Sequence, residues 1–477
     1  MKKLPLILKS ILTFTLLLSF SSIHSQTEIK SKIVDFMSMM PIESASIYIQ
    51  NTTIGTMSNV DGKFVLLVPE EHDADTLVIS SIGYKSFKTP VNEFDGTMDV
   101  FLEEDVAELD EVVLVAEPRP TTGNEIVLKA LQKLEATMPE NPYLLKGFLR
   151  HKERNKKEFK WLIESAITVY DSGYATNSAE QLKINVDEVR KSYDLRDVDS
   201  LFAYAAYLTN KSNKRNLRAR NLRRDTIRIS TLVNAIKWND QRVNGLENLL
   251  QGKLNLVRNS TASNSLFGED ILTNHQFELD TILVDNERKI YKVKIEGGLD
   301  YVDLNTPGIF NNGYQAEGWM YIYYDNYAIK KIEYQLVAAS PNQKKRSKDL
   351  FGTQTNHKLV INYLEFDGRM YPNYIYYETP KLVNVGAKPS VDMTDEEKEQ
   401  FNRDERYYYT IQEILFTDVI FDEETIASRL ASTWDSDIFS VRPYHKDFWK
   451  NYNTLLESEE EEQLIQDLTK RSRLFKD

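Results

Sequence analysis

The 477-residue sequence contains no cysteine. That removes disulfides, thiolate metal ligands, a cysteine nucleophile and a lipid anchor on an N-terminal cysteine. Histidine is scarce, at six, and without paired spacing it leaves little room for familiar imidazole catalysis. Cations are outnumbered, 59 Lys and Arg against 72 Asp and Glu, for a formal net charge of −13. An acidic chain must overcome phosphate repulsion, so no nucleic-acid partner is expected. After Phe20 no apolar run reaches the roughly 20 residues a bilayer-spanning helix needs. No Gly-x-Ser-x-Gly elbow, phosphate loop or dinucleotide fingerprint occurs, and no cofactor is expected.

What is present begins with an address. Lys2, Lys3 and Lys9 precede the apolar run Ile11 to Phe20. The run is too short to span a bilayer and reads as a secretory signal, residues 1–25, with cleavage after Ser25. The mature chain then starts near Gln26 and becomes more acidic by three charges.

The segment 27–103 reads as short strands with turn punctuation. Ala45, Ile47 and Ile49 alternate with Ser46 and Tyr48, and Phe64, Leu66 and Val68 alternate before Pro69. Asp61-Gly62 supplies a tight turn, and Leu77 to Ser81 a third strand. Period-two alternation marks half-buried strands. Several at this spacing predict a small β-sandwich.

Ile33-Val34-Asp35, Pro41 to Ile47, Gly55-Thr56, Asn59, Asp61 to Phe64, Val68-Pro69 and Ile82-Gly83-Tyr84 together resemble the carboxypeptidase-regulatory-like domain. The resemblance implies a transthyretin-like, seven-stranded β-sandwich without an active site. No carboxypeptidase activity follows from the name. Ser31 stands where that family often has glycine. In many envelope proteins the domain precedes a nutrient receptor's plug and barrel, and Leu102 to Val113 looks like the joining stretch. The remaining residues do not read as a large barrel.

An acidic, Pro-containing linker is expected over 104–123 and a β-rich domain over 124–477. Thr122 or Asn124 would cap a helix whose apolar stripe is Ile126, Val127, Ala130, Leu131 and Leu134, ending before Pro139. Hairpins are expected around Asn155 to Lys157, Asp285 to Lys289, Asp325-Asn326 and Asp367-Gly368, with a further strand at Tyr407 to Phe416. Ser458 and Glu461 form a capping-box pattern for a C-terminal helix with an apolar face of Leu464, Ile465 and Leu468. The predicted fold is mainly β: an N-terminal transthyretin/Ig-like sandwich plus a larger antiparallel curved-sheet α+β domain with N- and C-terminal helices. Gly147 to Arg150, Glu164 to Ala166 and Asp447 to Asn453 are similar to envelope proteins in which the same first domain precedes a β-rich region of unknown function.

His275 and Glu278 match a zinc-ligand spacing, with His357 or His445 as a third ligand by order alone. Three positions apart on one strand they face opposite ways, so ordinary strand residues and no metal are expected. Arg215, Arg218, Arg220, Arg223 and Arg224 form a basic run. It suits lipid headgroups or an acidic partner, or else pairs with the protein's own carboxylates. Arg150 and Glu164 are placed to face each other across a hairpin. Tyr321, Tyr323, Tyr374 and Tyr376 would line a ligand groove or fill a sheet face.

The resulting expectation is an exported, non-catalytic protein of the periplasm or the periplasmic face of the outer membrane. It would hold an apolar, lipid or glycan ligand on its curved sheet, which predicts a concave apolar pocket of several hundred Å³. The alternatives are a scaffold for an outer-membrane protein, with a filled sheet face, and an uncharacterised hydrolase with a cleft of converging groups.

Overall fold

The computed structural model describes residues 26–105, 119–154, 159–174, 181–193, 198–212, 222, 226–262, 265–268, 270–297, 314–384, 394–396, 405–440, 442–459, 462 and 468. The signal segment, the basic run from Arg215 to Arg224 and most of the expected C-terminal helix lie outside these residues.

Seven strands build the N-terminal region. They are β1 (Gln26–Asp35), β2 (Ser46–Ile49), β3 (Gly55–Met57), β4 (Lys63–Pro69), β5 (Thr76–Ser80), β6 (Phe87–Pro90) and β7 (Val100–Leu102). They form sheets of order β4-β1-β7 and β3-β2-β5-β6. Phe64, Leu66 and Val68 turn inward from β4 to meet Ile47, Ile49, Leu77 and Ile79 in one core. Gly62 closes the preceding turn at φ +74, where a Cβ would lie 2.3 Å from the Ile33 carbonyl oxygen.

The second region is one ten-stranded antiparallel sheet. Its strands are β8 (Tyr143–Arg154), β9 (Phe159–Asp171), β10 (Leu182–Tyr193), β11 (His275–Asp285), β12 (Arg288–Gly297), β13 (Tyr314–Tyr323), β14 (Ile329–Ala338), β15 (Thr355–Phe366), β16 (Arg369–Asn384) and β17 (Glu405–Ile420). The hairpins expected at Asp285 to Lys289, Asp325-Asn326 and Asp367-Gly368 form, the last at positive φ, and β8 pairs antiparallel with β9, while the turn expected at Asn155 to Lys157 lies outside the described residues. The order is not a simple meander. It runs β10-β9-β8-β17-β16-β15-β14-β13-β12-β11, so the last strand fills the gap between β8 and β16.

Residue register divides the two faces by chemistry. One row, paired strand to strand, reads Leu279, Val293, Met320, Ile332, Ile361, Ile375, Ile414, Leu149. A row on the opposite face reads Glu278, Lys294, Trp319, Glu333, Val360, Tyr376, Glu413, Arg150, Glu164, Arg190. A strand's period of two carries both patterns at once.

The apolar face is covered by helices. They include α1 (Gly123–Gln132), α2 (Leu134–Thr137), α3 (Val198–Ser212), α4 (Ile229–Asn244), α5 (Leu246–Gln251) and α6 (Ile271–Asn274). Further along lies α7 (Pro341–Phe351), while α8 (Glu423–Leu430) and α9 (Lys446–Lys450) pack on the other face, Ile426 against Leu144 and Tyr170 and Trp449 against Phe148 and Leu415. Thr122 caps α1 in a capping box with Glu125, while Asn124 instead accepts the Phe277 amide of β11 at 3.0 Å. Ile126, Val127, Ala130, Leu134, Leu249, Leu250 and Phe267 join the same core as the sheet's apolar row. A small cavity of about 20 Å³ lies beneath Tyr143, Arg258 and Phe416, about one water-sized probe.

Candidate functional site

The charged face of the large sheet meets the β-sandwich, and backbone as well as side-chain bonds hold the seam. Gly83 N donates to Val284 O at 2.7 Å, and Thr53 Oγ1 donates to Asp418 at 2.9 Å while accepting the Val419 amide. Asn362 Nδ2 reaches Ser46 Oγ at 3.4 Å. The stretch 452–459 is wedged into the same seam. Asn453 pairs with the Leu67 amide and carbonyl at 2.7 and 3.2 Å, as a neighbouring strand would. Asn59 donates to Glu457 O, and Asp61 accepts the Glu459 amide at 2.8 Å.

Under that stretch lie Arg150 and Glu164, 1% and 0% exposed. Arg150 Nε donates to Glu164 at 2.9 Å, and Nη2 donates to Leu455 O at 2.8 Å. Arg190 Nε takes the other Glu164 oxygen at 2.6 Å, with its guanidinium over the Trp449 ring. Glu457 lies 3.6 Å from Arg150, and burial raises its pKa against that attraction. The pair is thus a buried anchor for the C-terminal stretch, with its hydrogen-bonding capacity spent on protein groups.

Between sandwich and sheet the seam opens into connected cavities. One, about 790 Å³, is lined by Lys294, Glu296, Glu317, Trp319, Lys331, Glu333 and Lys358, with Glu43 and Ser44 from the sandwich. Lys292 Nζ sits 4.0 Å from the Trp319 ring centroid. Gly318, within β13, holds φ +144, where a Cβ would fall 1.9 Å from Glu333 O of the neighbouring strand. Glu43, Ser44 and Lys331 also line a second cavity of about 230 Å³. That cavity shares Ser80, Asp285 and Lys330 with a third of about 560 Å³. Lys330 is buried there, donates to Tyr363 O at 2.7 Å, and burial lowers its pKa.

The four tyrosines face this side of the sheet but do not form one groove. Tyr321 is buried at the 230 Å³ cavity. Tyr323 donates to Asp285 at 2.7 Å and stacks under Arg288. Tyr374 and Tyr376 stand apart on β16, donating to Glu413 and Glu378. Burial raises the pKa of all four. Three of them are hydrogen-bonded to carboxylates, Tyr321 and Tyr323 line the two smaller cavities, and the aromatic residue of the 790 Å³ cavity is Trp319. Sequence reading missed Trp319 because its neighbours across the strands, Lys294 and Glu333, are distant in the chain.

His275 and Glu278 fall on opposite faces. His275 is buried, with Nδ1 donating to Ile271 O at 3.0 Å and Nε2 accepting from the Tyr334 hydroxyl at 2.9 Å. Glu278 is exposed and paired in register with Lys294. Burial depresses His275 to about 4 and His357 to about 3. His445 bonds to Glu188 on the surface. Among the described residues no group of three or more His, Asp or Glu side chains is arranged to hold a metal ion. Helices occupy the apolar face, and the three cavities described above lie on the other side, lined mainly by charged and polar residues.

Residues 29–114 match the CarboxypepD_reg-like domain family. The TonB-dependent receptor SusC of Bacteroides thetaiotaomicron is 30% identical over 116 residues, which are 24% of this chain and 11% of that protein. The chain therefore spans about a tenth of that relative. A LolA superfamily protein from Nitrosomonas europaea is 9% identical, covering 64% of this chain and 95% of that one at a TM-score of 0.21. A DUF1329 family protein from Desulfovibrio piger is 8% identical, covering 63% and 93% at 0.26. Neither superposition is close enough to bear on function.

Proposed function

We propose that this chain, whose N-terminal region is a CarboxypepD_reg-like domain, is an exported, non-catalytic envelope protein that binds a glycan in the seam cleft. The observation that carries the reading is the cleft of about 790 Å³ on the charged face, beside an apolar face filled by helices. Its size suits a ligand of several sugar rings. Its lining alternates Lys294, Lys331 and Lys358 with Glu43, Glu296, Glu317 and Glu333. Balanced donors and acceptors serve hydroxyl groups, which do both, better than they serve a polyanion. Trp319 offers the apolar ring surface on which a sugar face packs. The secretory signal expected from the sequence and the likeness to a TonB-dependent receptor support an envelope location.

The test is titration of the mature chain with neutral and acidic oligosaccharides, followed by tryptophan fluorescence and calorimetry. Saturable binding that Trp319→Ala removes supports the cleft. Binding that survives Trp319→Ala, or no glycan binding together with a stoichiometric lipid in native mass spectrometry, overturns it.

A second reading, a scaffold for an outer-membrane protein, is favoured by the way the 452–459 stretch fixes sandwich to sheet. Fixed geometry between two modules is what a scaffold presents to a partner. Recovery of one stoichiometric envelope protein after crosslinking, from glycan-free preparations, would favour it.

A further inference from the structure

The β-sandwich carries an apolar tip that the seam does not use. Between β1 and β2 the chain reads Phe36-Met37-Ser38-Met39-Met40, and all five residues are exposed. The large side chains are exposed by 51% at Phe36, 80% at Met37, 60% at Met39 and 63% at Met40. Phe101 of β7, also exposed, packs edge-on against Phe36. Five consecutive exposed residues make a projection rather than a groove.

The tip's backbone donors are already spent. Phe36 N donates to Leu102 O, and Met39 N donates to Asp35 O, both at 2.9 Å. One oxygen of the Asp35 carboxylate accepts the Met37 and Ser38 amides at 3.1 and 2.5 Å, and Met40 N donates to Ser38 Oγ at 3.3 Å. Every amide from 36 to 40 therefore has a partner within the protein. A loop so arranged gives up no N–H bonds to water when it enters an apolar phase, where an unmet donor is expensive. Met39 also holds φ +59, a conformation that glycine or asparagine adopts more readily. Methionine at that place has a conformational cost and brings an exposed apolar side chain.

We propose that this tip inserts into the interfacial layer of a lipid bilayer, docking the β-sandwich on a membrane surface. It deepens the envelope reading above and rests on it for location only. A second copy of the chain is a poor occupant, since a stable dimer uses roughly 20–30 residues a side and the tip offers five. A protein pocket would normally engage backbone donors, and here they are taken. The tip carries no lysine or arginine, so attachment depends on buried apolar side chains and not on anionic headgroups.

The test is flotation of the chain from Gln26 onward with phosphatidylcholine vesicles, at low and high salt. A second form, F36S/M37S/M39N/M40S, replaces only exposed side chains, and circular dichroism confirms that it is folded. The wild-type chain is expected to float at both salt concentrations, and the variant to lose ~10-fold or more of the bound fraction. In a third form, M37W, the new tryptophan should blue-shift and be quenched by a lipid-borne quencher. Absence of wild-type flotation, equal flotation of the variant, binding that needs anionic lipid and is released by salt, or an unquenched M37W each overturn the proposal. Glycan binding at Trp319 is measured separately, so failure at one place is distinguishable from failure at the other.

Discussion

Arg150 and Glu164 sit directly opposite each other on β8 and β9, and their charges are buried together under the C-terminal stretch. A buried ion pair is weak evidence of net stabilisation, but removing one member leaves an unpaired buried charge. Arg150→Ala is expected to cost ~3–5 kcal/mol, read by urea denaturation. Arg150→Lys should recover only part of this, because one ammonium cannot meet Glu164 and Leu455 O in a fork. Limited proteolysis should then cut the stretch around 452–459 first. If cleavage there is unchanged, the pair does not anchor that stretch.

Gly318→Ala should destabilise by more than the ~1 kcal/mol of an ordinary glycine replacement. The added Cβ meets Glu333 O at 1.9 Å on a residue already at φ +144. Thermal unfolding checks it, and a shift within error would mean that β13 and β14 separate easily.

Acid should weaken the fold before the carboxylates titrate. Burial depresses His275 to about 4 and His357 to about 3, against about 6.5 in the unfolded chain. Folded-state values that are depressed give stability that is complete above about pH 6.5 and lost as pH falls through the window down to the folded values. Over that window the unfolded chain binds more protons, so stability rises with pH. Melting temperature should therefore fall from pH 7 toward pH 4, and His357→Leu should flatten the slope. An unaltered slope in that variant would remove His357 from the account.

Thr122→Ala should cost ~1 kcal/mol through loss of the α1 cap. Thr122→Ser should be close to neutral. Chemical denaturation of the three proteins distinguishes a capping role from packing of the threonine methyl.

Local patterns were legible where the physics is local. Turn residues marked the hairpins, and Thr122 with Glu125 marked the start of α1. The symmetry of Arg150 and Glu164 about Lys157 placed them in register. Strand β10 was not anticipated, although Ile184 and Val186 alternate with Asn185 and Asp187, because it lies beyond residues 175–180 and not a short turn. The insertion of β17 between β8 and β16 carries no local mark at all, since it depends on which edges remain unpaired after every hairpin has closed. The cleft was illegible for the same reason. Glu43, Trp319 and Lys358 meet only when two separate sheets are stacked.

The position of β17 also sets an order of events for the newly made chain. Leu149 of β8 pairs with Ile414, more than half the chain away. Until residues 405–420 emerge, β8 and β16 each present an open edge, and the sheet remains two incomplete pieces. Contacts so remote in sequence close slowly, and open edges invite association with other chains. During that interval the β-sandwich, whose strands all lie within residues 26–102, can already be complete, while the large sheet waits for its final strand.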